Sequence, residues 1–364
     1  MDGRAMCRYQ AAMATVVNAL TFPRPGRRAV GWWLVAVAVM VAAMVVVGGL
    51  TRLTGSGLSI TEWHPVTGVV PPLSEQAWQS EFAKYQHIPQ YQLEHRGMSL
   101  SGFKAIYWWE WTHRLLGRLI GFVFLLPFLY FVAMGTILRP GIPRMVVLFA
   151  LGGLQGFVGW WMVESGLETR VSVSQYRLAI HLGVALILFA AILWTALEYL
   201  RDEAPPARSR AGNSAFAFVA LVYVQMLLGA LVAGLHAGLV YNTWPSMNGH
   251  VFPEDAFFAR PWWINFFENA GLAQFDHRLG AYLITAGAVW LWIRSRGNGN
   301  SVRASANSLL AVTALQVALG IVTLLNQAPV VLAALHQATA VALLSAALWH
   351  AFELSRAPQA AAST

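Results

Sequence analysis

Apolar residues run in long blocks along this chain, and polar residues are confined to the gaps between them. Eight blocks can be marked, at about 30–50, 115–135, 144–163, 178–199, 214–233, 278–294, 306–325 and 329–352. Each is near the roughly 20 residues an α-helix needs to cross a bilayer. The longest gap, 51–112, is rich in Gly, Pro, Trp and His, and loops of that length usually serve or cover a site. The pattern predicts an all-α polytopic membrane protein with eight transmembrane helices.

Composition excludes a soluble globular chain: 57% of residues are hydrophobic, only 11% are charged, and mean hydropathy is +0.54. A net charge of +8 would point to nucleic acid in a soluble protein. Here it follows topology, and no nucleic-acid partner is expected. With eight crossings, the side holding both termini carries fourteen Lys+Arg and five acids, and the other side ten and eleven, a balance of +9 against −1. The positive-inside rule makes the first side cytoplasmic. The single cysteine, Cys7, precedes the first span, so neither an intrachain disulfide nor a cysteine metal site can form.

The expected organisation is a cytoplasmic tail over 1–29 rather than a transit peptide, a four-helix bundle over 30–199, a polar cytoplasmic linker over 200–213, a second four-helix bundle over 214–352, and a cytoplasmic tail over 353–364. The two bundles resemble each other. Gly57 to Trp63 corresponds to Gly238 to Trp244, His113-Arg114-Leu115 to His277-Arg278-Leu279, Leu154-Gln155 to Leu315-Gln316, and Leu178-Ala179-Ile180-His181 to Ala333-Ala334-Leu335-His336. Four spans per half is an even number, so the halves insert in the same orientation as a parallel repeat.

His113, His181, His277 and His336 each stand at the outer start of an apolar block, two per bundle. Ionisable residues at such positions are costly and usually face a bundle interior. A lone one reads as a hydrogen-bonded packing residue; repetition at matching depth in both halves points instead to paired axial ligands of a planar macrocycle, a haem. Zinc fits less well, because two nitrogens leave two positions unfilled. His64, His87 and His95, in the outer gap, read as solvent-facing or hydrogen-bonded.

The halves differ at one titratable position: Glu110 stands three residues before His113, and Gln274 three before His277. A carboxylate there can accept a proton or stabilise developing positive charge, which an amide cannot. The N-terminal site is therefore the chemically active candidate, with capping of its helix as the alternative role for Glu110. Arg114, Arg118 and Arg278 are candidates for pairing with haem propionates or for anchoring at the interface. Tyr107, Trp108, Trp109 and Trp111 read as an interfacial belt, with a pocket for a prenyl tail as the alternative.

At Gly48 to Ser59, at Glu110-Trp111-Thr112-His113-Arg114 and at the four ordered histidines, the chain resembles the haem A synthase family, in the form found in proteobacteria and mitochondria, over about residues 30–352. The resemblance implies a bacterial inner-membrane enzyme that oxidises the C8 methyl of haem O to a formyl group by successive hydroxylations, giving haem A for terminal oxidases. It implies that His113 and His181 flank the substrate haem, that Glu110 is the catalytic acid, and that His277 and His336 ligate a resident haem b. It also implies haem O synthase, the protohaem farnesyltransferase, as donor partner. Gram-positive members carry paired cysteines in an outer loop, and this chain has none, so no loop disulfide can take part in electron transfer. The rival from another class is a di-haem b-type electron carrier linked to quinol. The electron acceptor and the oligomeric state, a homo-oligomer among the alternatives, are open at the level of sequence.

Overall fold

The computed structural model describes residues 26–64, 67–168, 170–201 and 210–356. Cys7, most of the N-terminal tail, the core of the 200–213 linker and the C-terminal tail from 357 lie outside the described residues. Among the described residues the chain is helical, with no strand beyond one isolated bridge between Met247 and His250. The long helices are α1 (Arg27–Leu53), α2 (Leu100–Ala133), α3 (Ile142–Leu167), α4 (Gln175–Leu200), α5 (Arg210–Gly234), α6 (Ala270–Ser295), α7 (Asn300–Leu325) and α8 (Val330–Arg356).

Seven of these are long and apolar enough to cross a membrane, which makes the chain a multi-pass membrane protein. Of the eight expected blocks, the one that falls short by length and composition is α6. That helix has 26 residues, as many as α3, but Asp276, Arg278 and Arg294 are charged, and Tyr282, Trp290 and Trp292 lower its hydropathy further.

Neighbouring helices pack in two rings, α1–α2–α3–α4 and α5–α6–α7–α8, each closed by contact of its first helix with its last. The rings meet where α1 and α4 touch α8 and α4 touches α5. One continuous apolar core runs through this junction, with Leu34 and Val37 of α1, Leu186 and Ile192 of α4, Val222 of α5 and Leu344 of α8 all buried. Gln337 of α8 ties the rings together: its amide donates to Val45 O at 2.7 Å and fills the space where Gly49 lacks a side chain.

Helix α2 reaches well beyond the expected start at 115. Ser99 caps it, accepting from Gly102 N at 3.2 Å, and its 34 residues make a rod of about 50 Å. That exceeds the hydrocarbon core of about 30 Å, so the rod is longer than one crossing needs, and its first turns carry a cap. There the segment after α1 folds over them, with short helices at Glu75–Gln86 and Pro89–Leu93. Leu58, Ile60, Trp78, Tyr85, Phe103, Ile106 and Tyr107 form a separate apolar cluster in this cap. Tyr107 is therefore cap core, edge-on to Trp78, and of the four expected belt aromatics only Trp108 and Trp109 are exposed.

Candidate functional site

All four predicted histidines sit on the even-numbered long helices, and each ring lies against a glycine of the helix before it. A β-carbon added to Gly48 of α1 would stand 3.0 Å from His113 Nε2; one on Gly159 of α3, 2.9 Å from His181 Cε1. In the second ring the corresponding distances are 3.2 Å from Gly229 to His277 Cε1 and 2.9 Å from Gly320 to His336 Cε1. At Gly159 and Gly320 any β-carbon would force a shift, and at Gly48 and Gly229 it would make a tight contact with the ring.

Glutamines hold three of the rings. Gln155 Nε2 lies 3.1 Å from His181 Nδ1 and donates to His181 O at 3.1 Å; Gln225 repeats both contacts with His277, at 3.1 and 2.8 Å. Gln316 Nε2 lies 3.4 Å from His336 Nε2. The Oε1 atoms of all three glutamines, and Nδ1 of His336, are buried without a hydrogen-bond partner.

Such orphaned atoms need an explanation, and a metal on the imidazoles supplies one. When Nε2 carries a metal, Nδ1 carries the proton and needs an acceptor; a half-turn of the Gln155 and Gln225 amides offers their orphaned oxygens to Nδ1 of His181 and His277, whereas Gln316 lies on Nε2 of His336. Two imidazoles on opposite faces of one metal, each bonded at about 2 Å, have ring centres roughly 6 Å apart. His277 and His336 have ring centres 6.4 Å apart, with planes at 81°. Among the described residues no three His, Cys, Asp or Glu side chains cluster as a metal site. The residues thus fit a two-nitrogen axial set better than a tetrahedral ion.

Glu110 is 2% exposed and fully engaged. Its Oε2 accepts from Ser59 Oγ and from Ile60 N, both at 2.8 Å, and its Oε1 accepts from Arg114 Nη2 at 2.7 Å and Nε at 3.1 Å. Arg114 also donates to Ile60 O at 2.8 Å and Glu62 O at 2.9 Å, and Arg118 to His64 O at 2.8 Å. Gln274 occupies the matching place: its amide donates to Ala237 O at 2.8 Å, and its oxygen accepts from Arg278 Nη2 at 2.9 Å. Arg278 reaches on to Tyr241 O at 2.9 Å and Ser246 O at 3.2 Å. The three arginines singled out in the sequence therefore hold outer segments against α2 and α6, directly above the histidines.

His95 is hydrogen-bonded to Tyr85 at 2.6 Å, His64 lies 3.0 Å from Glu62, and His87 is exposed, all within the outer cap and as read from the sequence. Hydrogen bonds from Lys84 and His64 hold the Glu62 carboxyl below its ordinary value, and donating to Glu62 and Glu81 raises Lys84. The residues that sequence reasoning missed are the four glycines and Gln225. Their signal was present: glutamine stands four residues before the contact glycine at 155/159, 225/229 and 316/320.

The chain is 49% identical to the haem A synthase of Parvibaculum lavamentivorans over 340 residues, covering 93% of this chain and 98% of that protein. It is 51% identical to the haem A synthase of Bradyrhizobium diazoefficiens over 337 residues (91% and 93%), and 50% identical to that of Rhodospirillum centenum over 338 (91% and 90%). The sequence profile of the cytochrome oxidase assembly protein family matches residues 31–348, nearly the whole of the two rings. The chain belongs to that family.

Proposed function

We propose that this chain makes haem A, oxidising the C8 methyl of haem O to a formyl group by successive hydroxylations. The observation that carries the reading is the pair His277 and His336, set 6.4 Å apart against Gly229 and Gly320, in a chain about half identical to haem A synthases along most of its length.

The rings α1–α4 and α5–α8 are two halves of a parallel repeat, and α6 is the eighth span despite its weaker hydropathy, because it packs between α5 and α7 at full span length. Haem O binds in the first half between His113 and His181. His277 and His336 hold a resident haem b, which supplies one-electron redox chemistry when bound.

Glu110 is the acid of the catalytic half. Ser59, Ile60 N–H and Arg114 fix its carboxylate one helical turn from His113, so it stands as a placed negative charge that stabilises positive charge developing on the substrate. Arg114, Arg118 and Arg278, which already position the outer segments, present guanidinium groups over the sites for the propionates. The termini are cytoplasmic, the histidine layer faces the periplasm of a bacterial inner membrane, and haem O synthase is the donor.

Expression together with a haem O synthase, followed by mass spectrometry of the extracted haems, tests this. Haem A or its hydroxylated intermediate is the expected product. Haem b alone, with haem O unchanged, would replace the enzyme by a di-haem electron carrier.

A further inference from the structure

The four histidine sites share a construction, and one of them lacks a part. A residue four positions before the contact glycine lies one turn away on the same helical face. At three sites that residue is a glutamine with its amide on the ring: Gln155, Gln225 and Gln316. Four positions before Gly48 stands Met44. Its methyl group reaches α2 one turn past His113, 3.1 Å from a β-carbon added at Gly117. A thioether donates no hydrogen bond and accepts only weakly. Among the described residues, no side chain hydrogen-bonds the His113 ring.

We propose that Met44 makes His113 the releasable ligand of the first site, while Gln155 and Gln225, on Nδ1 of His181 and His277, are positioning residues that fix those imidazoles, and Gln316 holds the His336 ring from its other nitrogen. This rests on the reading that the four histidines ligate haem. A partner on the distal ring nitrogen fixes the tautomer and orientation of a ligand histidine and raises its basicity, and losing such a partner typically costs about 10- to 100-fold in metal affinity. A site whose haem is substrate must take it up and give it up at every turnover; a site with a resident haem must not. The chain meets both demands with one fold by withholding the amide from a single histidine. The incoming haem meets one fixed ring, His181, and leaves when the unheld ring, His113, turns away.

The test is the rate at which haem passes from the purified full-length protein, loaded with haem O, to excess apomyoglobin. Wild type should release haem in a fast phase from the first site and a slow phase from the second. Met44→Gln should slow the fast phase by about 10- to 100-fold, and Met44→Leu, which keeps the bulk without the amide, should stay fast. Gln225→Met should speed the slow phase by a similar factor and change the low-spin electron paramagnetic resonance g values of the resident haem, which a purely structural role would leave alone. A Met44→Gln protein with a normal slow phase and an unchanged fast phase would overturn the assignment of Met44. If Met44→Gln does not fold, Gln225→Met decides, and an unchanged slow phase there overturns the proposal. His277→Ala separates the two levels: if it keeps the slow-phase haem with unaltered absorption bands, the ligand reading itself fails, whatever Met44 does.

Discussion

Glu110 and Arg114 form an ion pair across one turn of α2, 2.7 Å between Oε1 and Nη2, and Gln274 and Arg278 repeat it on α6 at 2.9 Å with an amide in place of the acid. The clamp is therefore mechanical in both halves and charged in only one. Evolution of a buried carboxylate where an amide can hold the same arginine is hard to explain by packing alone, since burying a charge costs more than burying an amide.

Glu110→Gln is expected to lower haem A production per mole of haem b by at least about tenfold, the low side of acid–base and electrostatic effects. The protein should fold, because Gln274 already shows an amide in this clamp. A modest loss of stability, about 1–3 kcal/mol, follows from turning an amide N–H toward Ile60 N, which now donates to the carboxylate. Full activity in this variant would reduce Glu110 to a clamp residue.

Acid should loosen the outer cap before it unfolds the helices. The folded pKa of Glu62 is lowered by its hydrogen bonds with Lys84 and His64. Its contribution is thus present above the ordinary carboxylate range and is lost as pH falls through the lowered folded value. Both partners are partly exposed, so the effect is small. Hydrogen exchange of residues 67–99 should be slower in wild type than in Glu62→Gln at neutral pH, and equal once Glu62 is protonated; a difference that persists in acid would assign the effect to something other than this charge.

Much of this was legible in the chain. Long apolar blocks mark helices without any pairing information, so the all-helical, multi-pass architecture could be read directly. The sixth block was marked at 278–294 like the others, although Asp276, Arg278 and two tryptophans lower the hydropathy of the helix that contains it. The first turns of α2 were missed because Phe103, Ile106 and Tyr107 are spaced for a helix that buries against the cap, and the same aromatic density reads as an interfacial belt. The glycine and glutamine cradle was least visible. A glycine inside an apolar helix looks like a packing residue, and the contacts that give it meaning join residues 16 to 65 positions apart, from Gly320 and His336 to Gly48 and His113.

The topology expectation is independent of the site. Reporter fusions after Arg208 should give cytoplasmic signals and fusions within 80–95 periplasmic ones, from the balance of +9 against −1. The opposite pattern would put the histidine layer on the cytoplasmic side.

Removing either ring from the second pair should remove the resident haem. His277→Ala and His336→Ala each delete one of two opposed nitrogens, and both proteins are expected to lose most of their haem b absorption on purification, with His113→Ala and His181→Ala losing little of it. Retention of haem b in both C-terminal variants, with loss in His113→Ala, would exchange the roles of the two halves.

The glycines offer a sharper probe, because they alter no ligand. In Gly320→Ala the added carbon would stand 2.9 Å from His336 Cε1, closer than real side chains pack, so either the imidazole turns or α7 moves from α8. The ring has little room to turn, since Gln316 lies on one nitrogen and the His277 ring faces it at 6.4 Å. Gly152→Ala on α3 is the control: its added carbon meets nothing within 4 Å, and alanine favours a helix over glycine by up to about 1 kcal/mol. Gly320→Ala should therefore change the low-spin spectrum of haem b and lower its retention, while Gly152→Ala leaves both as in wild type. If the two variants are indistinguishable in spectrum and haem content, His336 does not carry the haem in the orientation that the glycine contact fixes, and the second pair loses its claim to be the axial set.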